Sequence, residues 1–537
     1  MSAGTLSHKL FPIQSVGLIV SFISHCTVGL KGLVQGKLEF DVNDLETFLE
    51  DTLENCTESQ KAIFDFVLNA IEQGDTAAVF IDARGGTGKT YVLNAILAAV
   101  RSLDGGSIAL AVGATGIAAN LLHLGRTFHS RFKAPLNLNM DSVCNINAQS
   151  TLARLISMAK LIVWDEAPMS HKYQLEALDR TLRDITDIDK PFGGKVIVLS
   201  GDFRQCLPVI PGATRAEIVN ACLKRSYLWK FFKVMKLKEN MRVQMSNDPD
   251  AESFDKFTLQ LGDGNLETVD GTDLIELPAD MCMEIPPNSE HDPESEKTAM
   301  TKLAQHVYPK LGDNWCKEGW MDGRAILAPT NAQVDQINNL ISDYFPGDPL
   351  VFLSSDELIN PNDFQRYNAE YLNTLSPSGL PAHRLFLKPG MPLMLMRNLN
   401  PKMGLCNGTR LIFKKVHKNL LLECTIAGGE HKDRKVLIPR ILLKPKDREF
   451  PFEWSRRQFP VRVAFAMTIN KSQGQTLLNV GVWLNDTCFG HGQLYVCISR
   501  VGSPKNIKFA IRRIENYPAN ITSNVVFKEV LLGRSKI

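Results

Sequence analysis

None of the eleven cysteines in this 537-residue chain stands in a Cys-x-x-Cys pair. That absence removes the zinc-finger and thioredoxin-type readings. Scattered thiols in a long chain fit a reducing compartment, most of them as buried small hydrophobes. Net charge is also small, +2 at neutral pH, so any nucleic-acid surface has to be a local groove rather than a basic whole. No internal repeat or low-complexity run is visible. No apolar run spans a bilayer either: Ser15–Ser24 is soon followed by His25 and lacks a small-residue cleavage pattern, which makes it a core or interaction segment. The composition, 44% hydrophobic and 22% charged, is that of a soluble globular protein with more than one domain.

Charge is unevenly spread. From Glu239 to Lys297 there are 16 acidic residues against 3 basic ones, and from Lys402 to Arg462 there are 15 basic against 6 acidic. The acidic stretch, about 243–300 with Pro286 and Pro287, reads as solvated linker and helix rather than core. Short β-like runs in the basic block, such as Pro392–Met396 and Leu420–Leu422, are split by turns such as Asn407-Gly408. They suit a small β-barrel. Elsewhere, continuous apolar strands alternate with helices: Ala77–Ile81, Ile108–Val112, Leu161–Trp164 and Lys195–Leu199, then Arg324–Thr330, Val461–Ala466 and Val480–Leu484. Such runs indicate buried parallel sheets covered on both faces.

The most informative segment is Ala83-Arg84-Gly85-Gly86-Thr87-Gly88-Lys89-Thr90. An apolar strand precedes it and a helical pattern follows, the context a phosphate-binding loop requires. Glycines let backbone N–H groups turn toward an anion, and the helix N-terminus adds its dipole. Lys89 would reach the β- and γ-phosphates while Thr90 ligates Mg²⁺. Ala83 replaces the motif's opening glycine, which matters only if φ there is positive. A glycine turn that binds nothing is the plainer alternative.

Further acids and arginines extend the pattern. Leu161-Ile162-Val163-Trp164-Asp165-Glu166 ends a strand on two carboxylates. The first can hold the metal while the second stays free as a base. Val198–Gln205 ends another strand, with Gln205 available to the γ-phosphate or the attacking water. Arg242 and Arg500 each follow an ordered stretch, and a planar guanidinium suits developing phosphoryl charge. Taken singly, a capped turn or a surface ion pair would explain each of these.

Several of these segments resemble the Pif-one family of superfamily-1 DNA helicases, especially the branch encoded by Helitron transposons. The similar stretches are Gly85–Thr90, Ala114–Ala119, Gly125–Phe132, Trp164–Met169, Gly201–Gln205, Asn398–Asn400 with Gly404–Arg410, Thr468–Thr476, and His491 through Arg500. They span about residues 52–515 in the family's order. The resemblance implies an α/β fold: two RecA-like P-loop domains, parallel sheets flanked by helices, with a small SH3-like β-barrel insert in the second. It places a first RecA-like domain at 51–240, an acidic linker and helical region at 241–320, and the second RecA-like domain at 321–387 and 459–537. The insert would be 388–458, and residues 1–50 form an unassigned extension.

The same resemblance implies ATP and Mg²⁺ in the cleft between the motor domains. Gln60 would contact adenine; Gly85, Gly86, Thr87, Gly88, Lys89 and Thr90 would hold the phosphates, with Asp165 joining Thr90 on the metal. Glu166 and Gln205 would serve the attacking water, and Arg242 and Arg500 would act as arginine fingers from the second domain. Thr115, Thr127 and His129, with Thr468, Asn470, Lys471, Ser472 and Gln473, would grip single-stranded DNA. Hydroxyls and amides suit phosphate contacts, which position without reading sequence. The expected activity is 5′-to-3′ translocation and unwinding of forked or tailed duplexes in the nucleus, in repair, recombination, replication or telomere maintenance. A DNA-stimulated translocase without unwinding and an inactive transposon-derived binding module are the alternatives. Full Helitron proteins carry a nuclease with a His-x-His pair. No two of the eleven histidines here lie two apart, so the chain reads as a helicase portion that does not cut and join DNA.

Overall fold

The computed structural model describes residues 42–532, apart from 104–106, 246–247, 286–292, 361–365, 378, 430 and 446–449. The apolar segment at 15–24 and the Pro286-Pro287 pair therefore lie outside the described residues. The first sheet is built from β1 (Ala78–Asp82), β2 (Ile108–Gly113), β3 (Arg126–Thr127), β4 (Ala159–Asp165), β5 (Val196–Gly201) and β6 (Phe232–Lys236). Its strands are all parallel, in the order β3-β2-β4-β5-β1-β6. Because successive residues of a strand face opposite ways, the sheet divides its apolar residues between two cores. Phe80, Leu110, Val112, Trp164 and Leu199 enter one; Val79, Ile81, Ala109, Ala111, Val163 and Val198 enter the other. Helices on both faces cover them, as continuous apolar strands require.

The second half begins earlier than the acidic composition suggests. The helix Ala251–Asp263 buries Phe254 and Leu261, while β7 (Leu274–Glu276) contributes Ile275 to the same core. Then β8 (Cys282–Ile285) joins the second sheet, pairing with Phe509–Arg512. The reading of 243–300 as solvated linker rather than core is therefore corrected. Among its described acids Glu252, Glu267 and Asp273 are exposed, whereas Asp248, Asp255 and Asp263 are partly buried in ion pairs with Lys505, Arg84 and Arg204. The remaining strands of this sheet are β9 (Arg324–Ala328) and, far along the chain, Ala466–Thr468, Asn479–Leu484 and Ile507–Arg512. All run parallel, and again the residues alternate between two cores, Leu327, Val480 and Phe509 against Ile326, Trp483 and Ala510.

Between β9 and Ala466 the strands become antiparallel. They are β10 (Leu350–Leu353), β11 (Ser355–Leu358), β12 (Arg384–Leu387), β13 (Pro392–Leu395), β14 (Arg410–His417), β15 (Leu421–Ile426), β16 (Lys435–Pro439), β17 (Ile441–Leu443), β18 (Trp454–Gln458) and β19 (Val461–Val463). The region thus starts at Leu350 rather than at 388. Five strands form an open sheet in the order β16-β15-β14-β13-β19, with β10-β12 and β11-β18-β17 as separate sheets. Phe352, Leu385 and Leu387 pack into the core of the five-stranded sheet. Side-chain packing rather than a closing strand pair joins these layers among the described residues.

One interior ion pair fixes that region. Arg456 on β18 and Asp356 on β11 are register partners with no exposed side-chain surface, and they meet in a fork of 2.9 and 2.6 Å. The guanidinium also donates to the carbonyls of Pro381 and Leu372. Removing one half of such a pair strands the other, at a cost of about 3–5 kcal/mol. Arg456→Ala is expected to lower the thermal unfolding midpoint of the second half, and an unchanged midpoint would contradict the role given to this pair.

After β20 (Ala466–Thr468), β21 (Asn479–Leu484) and β22 (Ile507–Arg512), the last strand, β23 (Ile521–Ser523), pairs with β7. The chain then crosses to the first half, where Phe527 and Val530 enter its core. Arg215 forks onto Glu529, and Lys224 Nζ donates to the Val530 carbonyl at 2.7 Å.

Candidate nucleotide site and nucleic-acid face

The phosphate-binding loop leaves the C-terminal end of β1 and runs into the helix Lys89–Ser102. Gly86 and Gly88 take φ of 89° and 75°, a region that penalises any side chain. A Cβ on Gly88 would also lie 2.5 Å from the Gln60 amide nitrogen. Ala83, by contrast, does not adopt a positive φ and is buried, its N–H donating to the Gly201 carbonyl at 3.0 Å. Alanine for glycine at the motif's first position therefore carries no backbone cost. Arg84, the other departure, pairs with Asp255 at 2.7 Å and anchors the loop to the helix Ala251–Asp263.

Lys89 Nζ stands 2.8 Å from Asp165 Oδ1 and 2.5 Å from Glu166 Oε1. Asp165 also accepts from the Ser200 hydroxyl and the Glu166 N–H, each at 2.8 Å. Glu166 sits at φ 52°, a left-handed geometry that is uncommon for a side chain of this size and is stored at functional sites. The other Glu166 oxygen accepts from Gln473 Nε2 of the second half at 3.0 Å. Burial works against the charged form of Lys89, but the two carboxylates outweigh it and its pKa lies above the ordinary value. Burial likewise opposes the Glu166 anion, and Lys89 with Gln473 more than offsets it, so Glu166 falls below the usual range. For Asp165 burial dominates and raises the pKa.

Gln205 and Gln473 are buried, and each carries a side-chain oxygen without a partner. Each orphan acceptor suits a water, which can donate to it, and Gln473 places one next to Glu166. Thr90 and Asp165 offer the hard oxygens that magnesium takes, so the residues present fit a metal-bound triphosphate.

Arg500 is buried, and burial lowers its pKa although Glu166 favours the cation. Its guanidinium donates to the Val496, Ser472 and Gln475 carbonyls. Arg242 differs from expectation. It is carried by the short helix Met241–Gln244 just after β6, with its own N–H on the Gly86 carbonyl at 3.2 Å. It is not a residue of the second sheet's domain; its side chain reaches across to the Ser499 carbonyl and the Thr476 hydroxyl. Gln60 is 2% exposed and spends its amide on the Thr87 carbonyl at 3.0 Å and the Thr57 N–H, as half of a helix capping box. It braces the loop from behind.

The expected nucleic-acid residues separate into two groups. Thr115 follows β2, Thr127 ends β3 and His129 follows it, all at the C-terminal edge of the first sheet. Thr115 caps the helix Gly116–Asn120, and His129 is half-buried, which lowers its pKa. Thr127 and Thr468 each precede a helix without making a side-chain cap bond, which leaves both hydroxyls for other partners. Asn470 accepts from Gln493, and Lys471 is half-buried with a lowered pKa. Ser472 and Gln473 turn the other way: Ser472 is fully buried with its hydroxyl on the Ile469 carbonyl, and Gln473 is on Glu166. The one-turn helix Ile469–Ser472 puts only part of its circumference outward, so these two side chains face inward, away from the expected strand-gripping surface. The insert reaches the first half here, since Asn120 Nδ2 donates to the Gly404 carbonyl at 3.1 Å and Ile117 lies against Gly408. The basic block is less exposed than its count implies. Arg410 and Arg456 are interior, while Arg462 and Lys432 are paired with Asp335 and Asp322.

Comparison with known proteins bears on the same residues. A family profile described as PIF1-like helicase matches residues 55–272, and one described as the 2B domain of DNA helicase Pif1 matches 370–415. Over these two stretches the chain is similar to the Pif1-like helicases. It is 26% identical to the ATP-dependent DNA helicase Pif1 of Psychrobacter sp., covering 80% of this chain and 65% of that one. Against the human ATP-dependent DNA helicase PIF1 it is 26% identical, covering 86% and 61%. The chain thus spans somewhat under two thirds of these curated relatives. In fold it is similar to the crystal structure of Pif1 helicase from Candida albicans, with TM-score 0.60, 21% identity and coverage of 89% and 97%. It is similar also to Bacteroides Pif1 in complex with ADP-AlF3 and ssDNA, with TM-score 0.59, 20% identity and coverage of 87% and 99%. Two RecA-like domains account for the two parallel sheets.

For this Pif1-like chain, reading residues alone missed Ser200, Asp255 and the inward turn of Gln473. A serine next to a glycine carries no signal of a hydrogen bond to Asp165. Asp255 looked like one more acid in a solvated run.

Proposed function

We propose that this chain is an ATP-dependent DNA helicase that uses Mg²⁺, translocates 5′ to 3′ on single-stranded DNA and unwinds forked or tailed duplexes. The observation that carries this reading is the meeting of Lys89, Asp165 and Glu166 from the first sheet with Gln473 from the second half at hydrogen-bonding distance. A site completed by two domains makes hydrolysis and domain closure the same event, which a translocating motor needs. The relatives' names and the ADP-AlF3 and ssDNA complex of the Bacteroides protein support it.

In this reading Lys89 and the loop N–H groups hold the β- and γ-phosphates, and Thr90 and Asp165 hold the metal, whose charge would neutralise phosphate oxygens. Glu166, kept anionic by Lys89 and Gln473, takes the proton of the attacking water. Gln205 orients that water with its free side-chain oxygen, and Arg500, with Arg242 beside the loop, offsets developing phosphoryl charge. Thr115, Thr127 and His129 on one domain and Thr468, Asn470 and Lys471 on the other hold the DNA backbone, with exposed lysines of the insert adding attraction. We assign the first motor domain to residues 51–240. The second comprises β8, β9 and β20–β22, with the antiparallel residues 350–463 inserted as a barrel-like module. No helix among the described residues is long and apolar enough to cross a membrane. We place the protein in the nucleus, in DNA repair, recombination, replication or telomere maintenance, and within the Helitron-encoded branch on the motif segments quoted above.

The deciding experiment is strand displacement on duplexes with a 5′ or a 3′ single-stranded tail, run beside ATP hydrolysis with and without single-stranded DNA. ATP-dependent opening of the 5′-tailed duplex alone is expected. DNA-stimulated hydrolysis without displacement of either substrate would replace the helicase by a translocase. No hydrolysis from folded protein would remove the motor altogether.

A further inference from the structure

The loop that follows β5 carries Gln205, and a helix of the second domain, Gln493–Ile498, is packed directly on it. Asp202, on that loop, has no exposed surface. Its Oδ1 accepts from the Arg204 N–H at 3.0 Å and Arg204 Nη1 at 3.2 Å, both within the first domain. Its Oδ2 accepts from the Tyr495 hydroxyl of the second domain at 2.7 Å. Tyr495 is 2% exposed, and burial first, then Asp202, raises its phenol pKa well above the ordinary value, so it remains a donor throughout the physiological range.

The approach of the helix is close and specific. A Cβ on Gly492, at φ 71°, would lie 2.1 Å from the Arg204 carbonyl oxygen, and one on Gly262 would lie 2.6 Å from the Tyr495 ring. His491 adds a second grip. The Phe527 N–H donates to its Nδ1, so Nε2 carries the proton and donates to the Phe203 carbonyl at 2.8 Å. At its other end the same helix leads directly into Arg500, whose Nε donates to the Val496 carbonyl within it. A single rigid turn of helix therefore holds the Gln205 loop at one end and the buried arginine at the other.

We propose that Tyr495 is a positioning residue: its hydroxyl bond to Asp202 transmits the placement of the second domain to Gln205. The inference rests on the motor activity proposed above. A buried carboxylate oxygen that loses the one cross-domain donor it has among the described residues is left unsatisfied, so this bond has two states, made when the helix is seated and broken when it is not. Domain placement, which bound DNA biases, is thereby converted into a fixed or released sensor loop.

The test measures ATP hydrolysis by the full chain with and without an oligothymidine strand, for wild type, Tyr495→Phe, Asp202→Ala, their combination, and Asp202→Asn. Tyr495→Phe is expected to lose about tenfold of the DNA-stimulated kcat, the scale of a typical coupling between sites, and to keep its DNA-free rate and its KM for ATP. The double variant should be no worse than the poorer single one, since both remove one interaction. Asp202→Asn, whose amide can donate to the phenol oxygen, should retain most of the stimulation even if the alanine variant is unstable. Equal losses of the DNA-free and DNA-stimulated rates, or full stimulation in Tyr495→Phe, would overturn the inference. In both cases a stimulated wild type leaves the motor reading standing. A wild type that hydrolyses ATP without responding to DNA would remove that reading and this inference together.

Discussion

Lys89→Ala is expected to lower DNA-stimulated ATP hydrolysis by about 10³-fold, at the upper end of what removing one preorganised charge from such a site costs. The reason is double. Among the described residues Lys89 is the only cation within ion-pair distance of Asp165 and Glu166, at 2.8 and 2.5 Å. Without it the triphosphate loses a positive contact, and two neighbouring buried carboxylates lose the charge that opposes their protonation. Like charges in low dielectric raise one another's pKa. Glu166, now held below its usual range, would rise and be partly protonated, and a protonated base accepts nothing from water. The sign of the pH effect follows. The residual rate of the variant should climb as pH is raised through the elevated carboxylate pKa, whereas the wild type has already deprotonated Glu166 well below neutrality. Hydrolysis rates of both proteins between pH 6 and 9, about one unit apart, check this. A variant within tenfold of wild type, or one whose residual rate is flat in pH, would show that Lys89 does not hold the carboxylates in the working enzyme. Lys89→Arg is a useful companion, because a planar guanidinium cannot replace a compact ammonium between two acids.

How far the sequence alone reached depends on how local each feature is. The phosphate loop was legible because strand, glycine turn and helix are contiguous, and the Asp165-Glu166 pair because it ends an apolar strand. The division of Phe80, Leu110 and Trp164 from Val79, Ala109 and Val163 into two cores follows from alternation that any strand must have. Features set by contacts across long separations were not legible. The strand Cys282–Ile285 is short and flanked by acids, so nothing local distinguishes it from linker; only its pairing with Phe509–Arg512 makes it part of a sheet. The antiparallel region was placed too late along the chain because Leu350–Leu353 carries four consecutive apolar residues without alternation. Its exposed Val351 and Leu353 could equally have marked a core segment. Arg242 and Gln473 show the same limit within the site. Each was assigned to a domain or a surface by its motif, whereas the short helix around each decides which way the side chain turns.

The turn of Gln473 gives the second large effect its particular form. Glu166→Gln is expected to lower hydrolysis by about 10²–10⁴-fold, the range for loss of a general base, while nucleotide binding is retained. The substitution keeps the shape of the side chain but places an amide where an anion stood, facing Lys89 and the Gln473 amide nitrogen. One donor-to-donor contact would result, except that Gln473 Oε1 is buried without a partner. Rotating the Gln473 amide lets that oxygen accept from residue 166, so the variant folds and the two domains still meet through this pair. Lys89 then has only Asp165 to neutralise and more of its charge is left for phosphate, so ATP should bind at least as tightly as in wild type. Tight binding with blocked chemistry predicts an enzyme arrested with its cleft closed, and hence one that stays on single-stranded DNA when ATP is present. Fluorescent-nucleotide titration and dissociation from a labelled strand measure the two consequences. A rate within tenfold of wild type would remove Glu166 as the base. Loss of nucleotide binding instead of chemistry would mean that the carboxylate holds the metal rather than the attacking water, and Asp165 and Glu166 would exchange roles.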